Sequence, residues 1–161
     1  MFKIYVRPIL EYNSCCWSPH LLKDIDLVES VQRSFTRRIR GLSDYGYKER
    51  LKICDLQSLE MRRMQEDMIL TYKIVHNLID LDFSKFFKFV YTENTRGHAF
   101  KLYPLHCRTS LALWAYNNRV VNVWNALPDT VVGARCLDVF KELVKQNESF
   151  FEKYLRGRAL I

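Results

Sequence analysis

The chain has 161 residues, 48% of them hydrophobic, which allows a packed interior in one domain or two small ones and excludes a disordered chain. No apolar run approaches the roughly 20 residues that cross a bilayer, and five cysteines at unrelated spacings favour a reduced, intracellular protein over a disulfide-stapled secreted one. The net charge of +7 favours acidic partners such as nucleic acid, although solubility alone also accounts for it.

Residues 1–17 contain a short apolar run that Pro8 interrupts, and we interpret this run as helix rather than strand. The run has no N-terminal cap of its own. We therefore expect it to continue from a preceding part of a longer protein.

The first long helix is predicted at residues 19–42. Apolar residues recur there at three- and four-residue steps and predict one buried face, formed by Leu21, Ile25, Val28, Val31, Phe35, Ile39 and Leu42. Ser18 is expected to cap the helix, with Pro19 at its first position. Arg33, Arg37 and Arg40 fall roughly opposite the apolar face, so we expect them to point towards a partner or water.

A connector follows, with a two-turn helix predicted at residues 47–53, and then a second long helix at residues 58–78. One face of this second helix is apolar and consists of Met61, Met64, Met68, Tyr72, Val75 and Ile79. We interpret its methionines as flexible core filling rather than as a binding groove. The two long helices are expected to pack antiparallel.

The helical period fails between residues 80 and 109, where we expect a loop with little sheet and a short irregular or β segment near residues 96–108. This segment has no acidic residue, and its basic side chains are Arg96, His98, Lys101, His106 and Arg108. Aromatic residues interleave with them, as in proteins that bind single strands by stacking and charge. A solvated loop over buried aromatic rings is an equal alternative.

Two more helices are predicted, at residues 110–126 and 137–154. The first ends at Leu127 because the residue before Pro128 is disfavoured in helical conformation. Three asparagines, which form helix poorly, share its predicted outer face: Asn118, Asn122 and Asn125. We interpret them as placed there for something other than stability, with capping and solvent hydrogen bonds as alternatives.

The motifs of several enzyme classes are missing from the sequence. It has no glycine-rich phosphate loop and no nucleophile elbow, which excludes P-loop phosphoryl transfer. Cysteine and histidine do not occur at the spacings of a four-ligand zinc site, and no carboxylates resemble a two-metal centre. We therefore expect no cofactor and no catalysis by this chain alone.

Some arginines have acidic residues four positions away, as in Glu29 and Arg33, Arg62 and Glu66, and Arg63 and Asp67. Such pairs neutralise charge on a helix surface. Arg37, Arg38 and Arg40 have no comparable neighbour. For these three we favour contact with phosphate over a merely solvated charge.

Five blocks of sequence resemble the C-terminal region of non-LTR retrotransposon reverse transcriptases of the jockey type. In chain order they are RPILEYNSCCWSP at 7–19, DIDLVESVQRSFTRRI at 24–39, YKERLKICDLQSLEMRR at 47–63, RGHAFKL at 96–102 and NRVVNVWNALPDTVV at 118–132. The resemblance covers most of the chain. It implies the helical thumb and tail that follow the palm of an RNA-directed DNA polymerase of a mobile element, acting in the nucleus.

The resemblance also implies partners and site residues: an RNA template, an RNA/DNA hybrid and the palm of a parent polymerase, whose magnesium would lie outside this chain. The residues implied to contact nucleic acid are Arg33, Arg37, Arg38, Arg40, Arg62, Arg63, Arg96, Lys101 and Arg119. The implied framework residues are Arg7, Trp17, Trp124 and Pro128. The aromatic-Ala-Asp-Asp catalytic motif of the family is absent, and Cys136 stands where a serine commonly starts the last helix.

The predicted fold is mainly α, a helical bundle with three regions. Residues 1–79 form the thumb-like helical region, 80–109 an aromatic and basic connector, and 110–161 a C-terminal helical region packed on the first. The alternative function is a helical protein-interaction module without nucleic-acid binding, which would use a methionine and phenylalanine surface.

Overall fold

A computed structural model describes residues 2–90 and 97–158 of the chain and confirms a mainly α fold. A π-helical turn, Phe2–Val6, runs directly into the first of eleven α-helices within these residues. The helices are α1 (Arg7–Glu11), α2 (Ser14–Trp17), α3 (Leu22–Arg37), α4 (Tyr47–Ile53), α5 (Leu59–Val75), α6 (Phe83–Phe86), α7 (Ser110–Trp114), α8 (Tyr116–Ala126), α9 (Asp129–Val132), α10 (Leu137–Gln146) and α11 (Glu148–Arg158). No helix in the described part of the chain is both long and apolar enough to span a membrane.

The chain divides into two compact units, Met1–Met64 and Gln65–Ile161. The division falls inside α5, whereas the sequence places a region boundary at residue 79. Helix α5 is buried along most of its length, so its first residues belong to the core of one unit and its later residues to the core of the other.

The first unit buries a largely polar face of α3. Ile25 lies on this face, but the other buried side chains of the helix are Glu29, Gln32 and Thr36. The predicted apolar face is therefore only partly correct: Ile25 and Leu42 are buried, while Leu21 and Val31 are exposed. Each of the three polar side chains on this face forms at least one hydrogen bond, although Oε1 of Gln32 forms none.

The predicted start of α3 is wrong. The helix begins at Leu22 after an extended Leu21, and no side chain caps it. Ser18 instead ends the preceding short helix α2, where its backbone N–H donates to the carbonyl oxygen of Ser14 at 2.9 Å. Pro19 thus lies in the connection between two helices.

Helices α4 and α5 agree with the sequence analysis: α4 spans the predicted residues, and α5 starts one residue later than expected and ends earlier. The core interpretation of the methionines is confirmed, because Met61, Met64 and Met68 are all buried. The methionine surface of the alternative function is therefore part of the cores.

The second unit has an aromatic core. Trp124 of α8 is fully buried and its indole Nε1 donates to the carbonyl oxygen of Phe100 at 2.8 Å. Phe140 of α10 stacks on Tyr72 with ring centroids 4.3 Å apart, and the Tyr72 hydroxyl donates to the carbonyl oxygen of Ala134 at 2.6 Å. Large apolar surfaces from several helices are removed from water together, which stabilises the unit.

In its described residues, 80–90 and 97–109, the connector before α7 contains little regular structure, as predicted, and residues 91–96 lie outside the description. Phe83, Phe87 and Phe89 form an aromatic cluster, with Phe83 and Phe89 stacked at 4.4 Å. Phe89 pairs with Leu102 in one antiparallel bridge, which brings the backbone N–H of Val90 within 2.9 Å of the Lys101 carbonyl oxygen. The short helix α6 was not predicted.

Each of the last two predicted helices is broken in two. Ala115, in an extended conformation, separates α7 from α8, and the Asn118 side chain donates across the break to the carbonyl oxygen of Ala112 at 2.7 Å. Asn147 separates α10 from α11 and its side chain donates to the carbonyl oxygen of Leu143 at 2.8 Å. Asparagine side chains thus satisfy carbonyl groups that the helix ends leave open.

Candidate nucleic-acid interface

Three exposed arginines cluster where α3 ends, and we call Arg37, Arg38 and Arg40 the arginine turn. Arg37 is the last residue of the helix, and Arg38 follows it with its backbone N–H bonded to the carbonyl oxygen of Phe35 at 3.1 Å. Gly41 then adopts a φ of 77°, a left-handed conformation that glycine reaches without steric cost. The chain therefore reverses immediately after the three arginines.

Two buried side chains restrain the backbone that carries the arginine turn. Thr36 is fully buried, and its hydroxyl accepts a hydrogen bond from Nε of Arg50 at 3.2 Å. Arg50 of α4, also buried, donates through Nη1 to the carbonyl oxygen of Tyr45. The Arg50 guanidinium therefore connects the end of α3 to the loop that follows it, with Leu42 buried between them in sequence.

No acidic side chain in the part of the chain that the structure describes neutralises the charges of the arginine turn. Arg37, Arg38 and Arg40 form no salt bridge with any residue in the ranges 2–90 and 97–158. Residues 33–52 carry seven basic and two acidic side chains, a local excess of positive charge in which only Arg50 of the seven is buried. The local surface is one that attracts polyanions.

Arg33 lies about one helical turn before the arginine turn and is partly exposed. Its Nη2 is 3.2 Å from Oδ1 of Asp26, and its guanidinium lies 5.3 Å from the centre of the Tyr47 ring. An exposed ion pair of this kind contributes between zero and about 1 kcal/mol. A phosphate could replace Asp26 as the partner of Arg33 at little cost.

Beneath this surface lies a polar network that sequence reasoning missed. The buried carboxylate of Glu29 accepts hydrogen bonds from the Tyr47 hydroxyl and from the backbone N–H of Leu59, the latter at 2.9 Å. Gln32 donates to the Tyr47 hydroxyl at 3.1 Å and to the carbonyl oxygen of Gln57 at 2.9 Å. Burial and the bond to Glu29 raise the pKa of Tyr47 well above its ordinary value, so the phenol stays a donor.

A signal for this network exists in the sequence. Glu29, Gln32 and Thr36 recur at steps of three and four residues, which is the helical period of an inner face. The helical period of α3 predicts burial of its apolar residues, so this polar set was not expected on the inner face. The polar network fixes where α3, α4 and the start of α5 lie, and thus positions the arginine turn.

Arg62 and Arg63 are not available on an exposed surface. Both oxygens of the Glu11 carboxylate accept from Arg62, from Nη2 at 3.0 Å and from Nε. Glu11 also lies 3.7 Å from Nε of Arg7. Arg63 is only 2% exposed. That these two arginines contact nucleic acid stays a prediction; in this structure Arg62 is paired with Glu11 and Arg63 is buried.

Arg119 is likewise a structural residue of the second unit. Its Nε and Nη2 each lie 2.9 Å from an oxygen of Asp67, and the two side chains are only 7% and 8% exposed. Its Nη1 donates to the carbonyl oxygen of Trp114 at 3.2 Å. A buried guanidinium held by a carboxylate cannot bind a phosphate without breaking the pair. The nucleic-acid role that the resemblance implies for Arg119 stays a prediction, and it would require this pair to open.

Of the remaining predicted residues, Lys101 is half-buried and Arg96 lies outside the described residues. His98 is 1% exposed, with Nε2 placed 3.1 Å from the carbonyl oxygen of Trp124. The proposed stacking segment near residues 96–108 therefore uses part of its basic and aromatic side chains inside the second unit.

The asparagines of α8 also have structural partners. Asn125 pairs with the backbone of Leu102 in both directions, its Oδ1 accepting from the N–H and its Nδ2 donating to the carbonyl oxygen, each at 2.8 Å. The side chain of Asn118 forms its hydrogen bond across the break before α8. Of the three asparagines, only Asn122 is exposed. Hydrogen bonds that stabilise the fold therefore account for two of the three asparagines, Asn118 and Asn125.

Among the described residues, no three histidine, cysteine, aspartate or glutamate side chains lie close enough together to hold a metal ion. Comparisons with known proteins were also negative: no family model, no curated protein and no solved structure matches this chain.

Proposed function

We propose that the chain is a nucleic-acid-gripping, C-terminal part of an RNA-directed DNA polymerase from a non-LTR mobile element, without catalytic activity of its own. The five blocks of sequence resemblance support the family. The arginine turn supports the role, because Arg37 and Arg38 lie near the end of the second of those blocks, which ends at Ile39, and Arg40 follows it directly.

Three exposed guanidinium groups on one turn, none of them in a salt bridge with a described residue, are the observation that carries the proposal. Cations at the end of a helix interact favourably with its dipole, but that effect is worth about 0.3–1 kcal/mol and decays within the last turn. Arg38 and Arg40 lie beyond the end of α3 and gain little from it. Phosphate groups explain all three positions, since arginine binds them through paired N–H donors.

The ligand of the arginine turn is proposed to be the sugar-phosphate backbone of an RNA template or an RNA/DNA hybrid. Backbone contacts of this kind recognise charge and helix shape rather than base sequence. The partner in the same polypeptide would be the palm of the polymerase, which would hold the magnesium ions and work in the nucleus. This chain's residues would hold the nucleic acid in register.

Binding of the full chain to an RNA hairpin and to an RNA/DNA hybrid tests the proposal. Fluorescence anisotropy at several salt concentrations gives the dependence of log affinity on log salt, whose slope falls by about one for each phosphate contact that is lost. We expect the triple variant Arg37→Ala, Arg38→Ala, Arg40→Ala to bind more weakly, with a slope shallower by about two to three.

A charge-matched control separates a local contact from a general effect of net charge. Lys85, Arg135 and Lys145 are exposed basic residues of the second unit. Their triple alanine variant removes the same charge and should bind nearly as well as the unaltered chain. Equal losses in the two variants, or an affinity that salt does not change, would contradict the proposal.

A protein-interaction role is the second candidate, and one observation favours it. The N-terminal segment of the first unit exposes four large apolar or aromatic side chains, each at least two-thirds accessible: Ile4, Tyr5, Ile9 and Tyr12. Contiguous exposed apolar surface is typical of binding sites for other proteins. If the unaltered chain binds neither nucleic acid, this surface becomes the better explanation.

A further inference from the structure

Ser43 lies on the surface in the segment between α3 and α4, three residues after Arg40 of the arginine turn. Its hydroxyl donates to Oδ1 of the neighbouring Asp44 at 3.1 Å, and both side chains are exposed. Exposed loop residues are the ones that other proteins can reach and act upon. The Ser43 hydroxyl is therefore accessible to an enzyme that modifies side chains.

The arginines before Ser43 have the spacing that arginine-directed serine/threonine kinases select. Arg40 lies three residues before Ser43, and Arg38 lies five residues before it. Such kinases recognise these positions through carboxylates in the substrate cleft, which arginine contacts with paired N–H donors. Both arginines are exposed and form no salt bridge within the described part of the chain, so a kinase can contact them.

Exposure distinguishes Ser43 from another hydroxyl with similar sequence spacing. Of the serines and threonines in the sequence, Thr36 and Ser43 are the two that have an arginine three residues before them. Thr36 is fully buried, and it accepts a hydrogen bond from Nε of Arg50. Five residues before Thr36 stands Val31, where Ser43 has an arginine. The spacing and the exposure that a kinase needs therefore coincide at Ser43.

The segment 38–46 can open to fit the cleft of a kinase. It contains neither helix nor strand, and Leu42 is its one buried residue. Within it, the N–H of Leu42 lies 3.1 Å from the carbonyl oxygen of Ile39, and the N–H of Tyr45 lies 3.3 Å from the carbonyl oxygen of Leu42. A segment with so little buried apolar surface opens locally at a lower free energy than the whole unit.

We propose that Ser43 is a phosphorylation site for an arginine-directed kinase and that its phosphate weakens nucleic-acid binding at the arginine turn; the effect on binding rests on the proposed function. In the transfer, the Ser43 hydroxyl oxygen forms a bond to the γ-phosphorus of ATP, and the bond from that phosphorus to the bridging oxygen of ADP breaks. ADP leaves with the electron pair of the broken bond, and the hydroxyl proton passes to a base of the kinase.

A phosphate on Ser43 nearly cancels the charge of the arginine turn. Residues 37–44 carry three positive side chains and one negative one. Phosphoserine adds about −1.5 to −2 at pH 7, which brings this segment close to neutral. Arg40 is separated from Ser43 by at most about 11 Å of extended backbone, a distance that the two side chains can bridge. Because Asp44 repels the phosphate, the guanidinium groups are its favourable partners.

Incubation of the full chain with ATP and a purified arginine-directed kinase tests the site. Mass spectrometry should locate one phosphate per chain, on Ser43. Ser43→Ala should abolish this modification, whereas Ser34→Ala, the matched change of an exposed serine in α3, should leave it in place. The double variant Arg38→Ala, Arg40→Ala should lower the initial rate about tenfold or more, since it loses charge-assisted hydrogen bonds to the kinase. Phosphate on another residue instead of Ser43, or an unchanged rate in the double variant, would overturn the site.

Binding of the phosphorylated chain to the RNA hairpin tests the effect on the arginine turn. Fluorescence anisotropy should show an affinity lowered about tenfold or more and a salt slope shallower by about two, because the phosphate occupies the arginines. Treatment with a phosphatase should restore both values, and Ser43→Ala incubated with kinase and ATP should bind like the unphosphorylated chain.

The two measurements separate this inference from the proposed function. An RNA affinity and slope that phosphate on Ser43 leaves unchanged would overturn the inference while the proposed function stands. Absence of RNA binding by the unphosphorylated chain would contradict the proposed function and the effect on binding together, whereas the phosphorylation site depends on the kinase measurement alone.

Discussion

The inner face of α3 in the first unit and the inner face of α8 in the second are built from opposite kinds of side chain. Helix α3 turns Glu29, Gln32 and Thr36 inwards, and each makes directed hydrogen bonds. Helix α8 buries three valines and Trp124. A polar inner face fixes one register because hydrogen bonds are directional, whereas apolar contacts tolerate small shifts. The first unit thus positions an exposed turn, and the second forms a core.

Breaking the Asp67–Arg119 pair should give the largest loss of stability. Arg119→Ala leaves a nearly buried carboxylate without its bidentate partner, and we expect the free energy of unfolding to fall by about 3–5 kcal/mol. Urea denaturation of the full chain measures this. The double variant Asp67→Leu, Arg119→Met should lose much less, because it removes both charges. A loss below 1 kcal/mol in Arg119→Ala would mean that the pair is more solvated than its burial indicates.

Removing the Glu29 carboxylate tests whether the first unit depends on its polar face. Glu29→Ala deprives the Tyr47 hydroxyl and the Leu59 N–H of their acceptor, and should lower the free energy of unfolding by about 2–3 kcal/mol. Asp26→Ala, on the exposed side of the same helix, is the matched control and should cost under 1 kcal/mol. Equal effects of the two variants would remove the distinction between the inner and outer faces of α3.

His98 should make the second unit sensitive to acid. Burial lowers the pKa of His98 below its ordinary 6.5, against a smaller opposing effect of the Trp124 carbonyl; Lys101 lowers it further and Asp129 raises it. Below pH 6.5 the unfolded chain binds a proton that the folded chain does not, so the free energy of unfolding falls as pH decreases. One proton gives a slope of at most about 1.4 kcal/mol per pH unit. Unfolding curves of the unaltered chain and of His98→Gln across this range should diverge, with the flatter dependence in the variant.

The smallest effect on stability is expected at the arginine turn. Its side chains are exposed and form no salt bridge with described residues, so the triple alanine variant should keep its free energy of unfolding within about 0.5 kcal/mol. Thermal and urea unfolding measure this directly. A loss comparable to that of Glu29→Ala would assign the three arginines a structural role and remove the reason for proposing a phosphate contact.

Much of the fold could be predicted from the sequence where a helix is long and its inner face apolar. Helix α5 illustrates this: its methionines recur with the helical period and are buried as expected. Helix α4 was also predicted with its observed bounds. Apolar periodicity reports burial directly, because water excludes those side chains whatever their neighbours are.

The sequence was less informative where side-chain hydrogen bonds decide the structure. The breaks at Ala115 and Asn147 depend on asparagine amides that bond to carbonyl oxygens of the preceding helix. Judged by helical periodicity alone, these asparagines would be assigned to the outer faces of their helices. A local polar bond that competes with helix continuation has no apolar signature.

The arginines of the candidate site also divide into those whose surroundings could be predicted from the sequence and those whose surroundings could not. Arg37 and Arg40 are exposed, as their predicted position opposite the apolar face implies, and Arg38 beside them is exposed as well. The partners of Arg62 and Arg119 are 51 and 52 residues away along the chain, so no local pattern could identify them. Basic charge alone does not distinguish an arginine that serves the fold from one that serves a ligand.

The hydrogen bonds of Arg50 also affect the entropic cost of binding an anion at the arginine turn. It bonds to Thr36 on the helical side and to Tyr45 on the loop side, so the intervening backbone is already ordered in the unliganded chain. An anion that docks there restricts mainly side-chain rotamers, at about 0.5–1.5 kcal/mol for each arginine immobilised. A variant that loses these two hydrogen bonds, for example Arg50→Met, would bind an anion at the arginine turn at a higher entropic cost and more slowly. The guanidinium groups that contact the anion would all still be present.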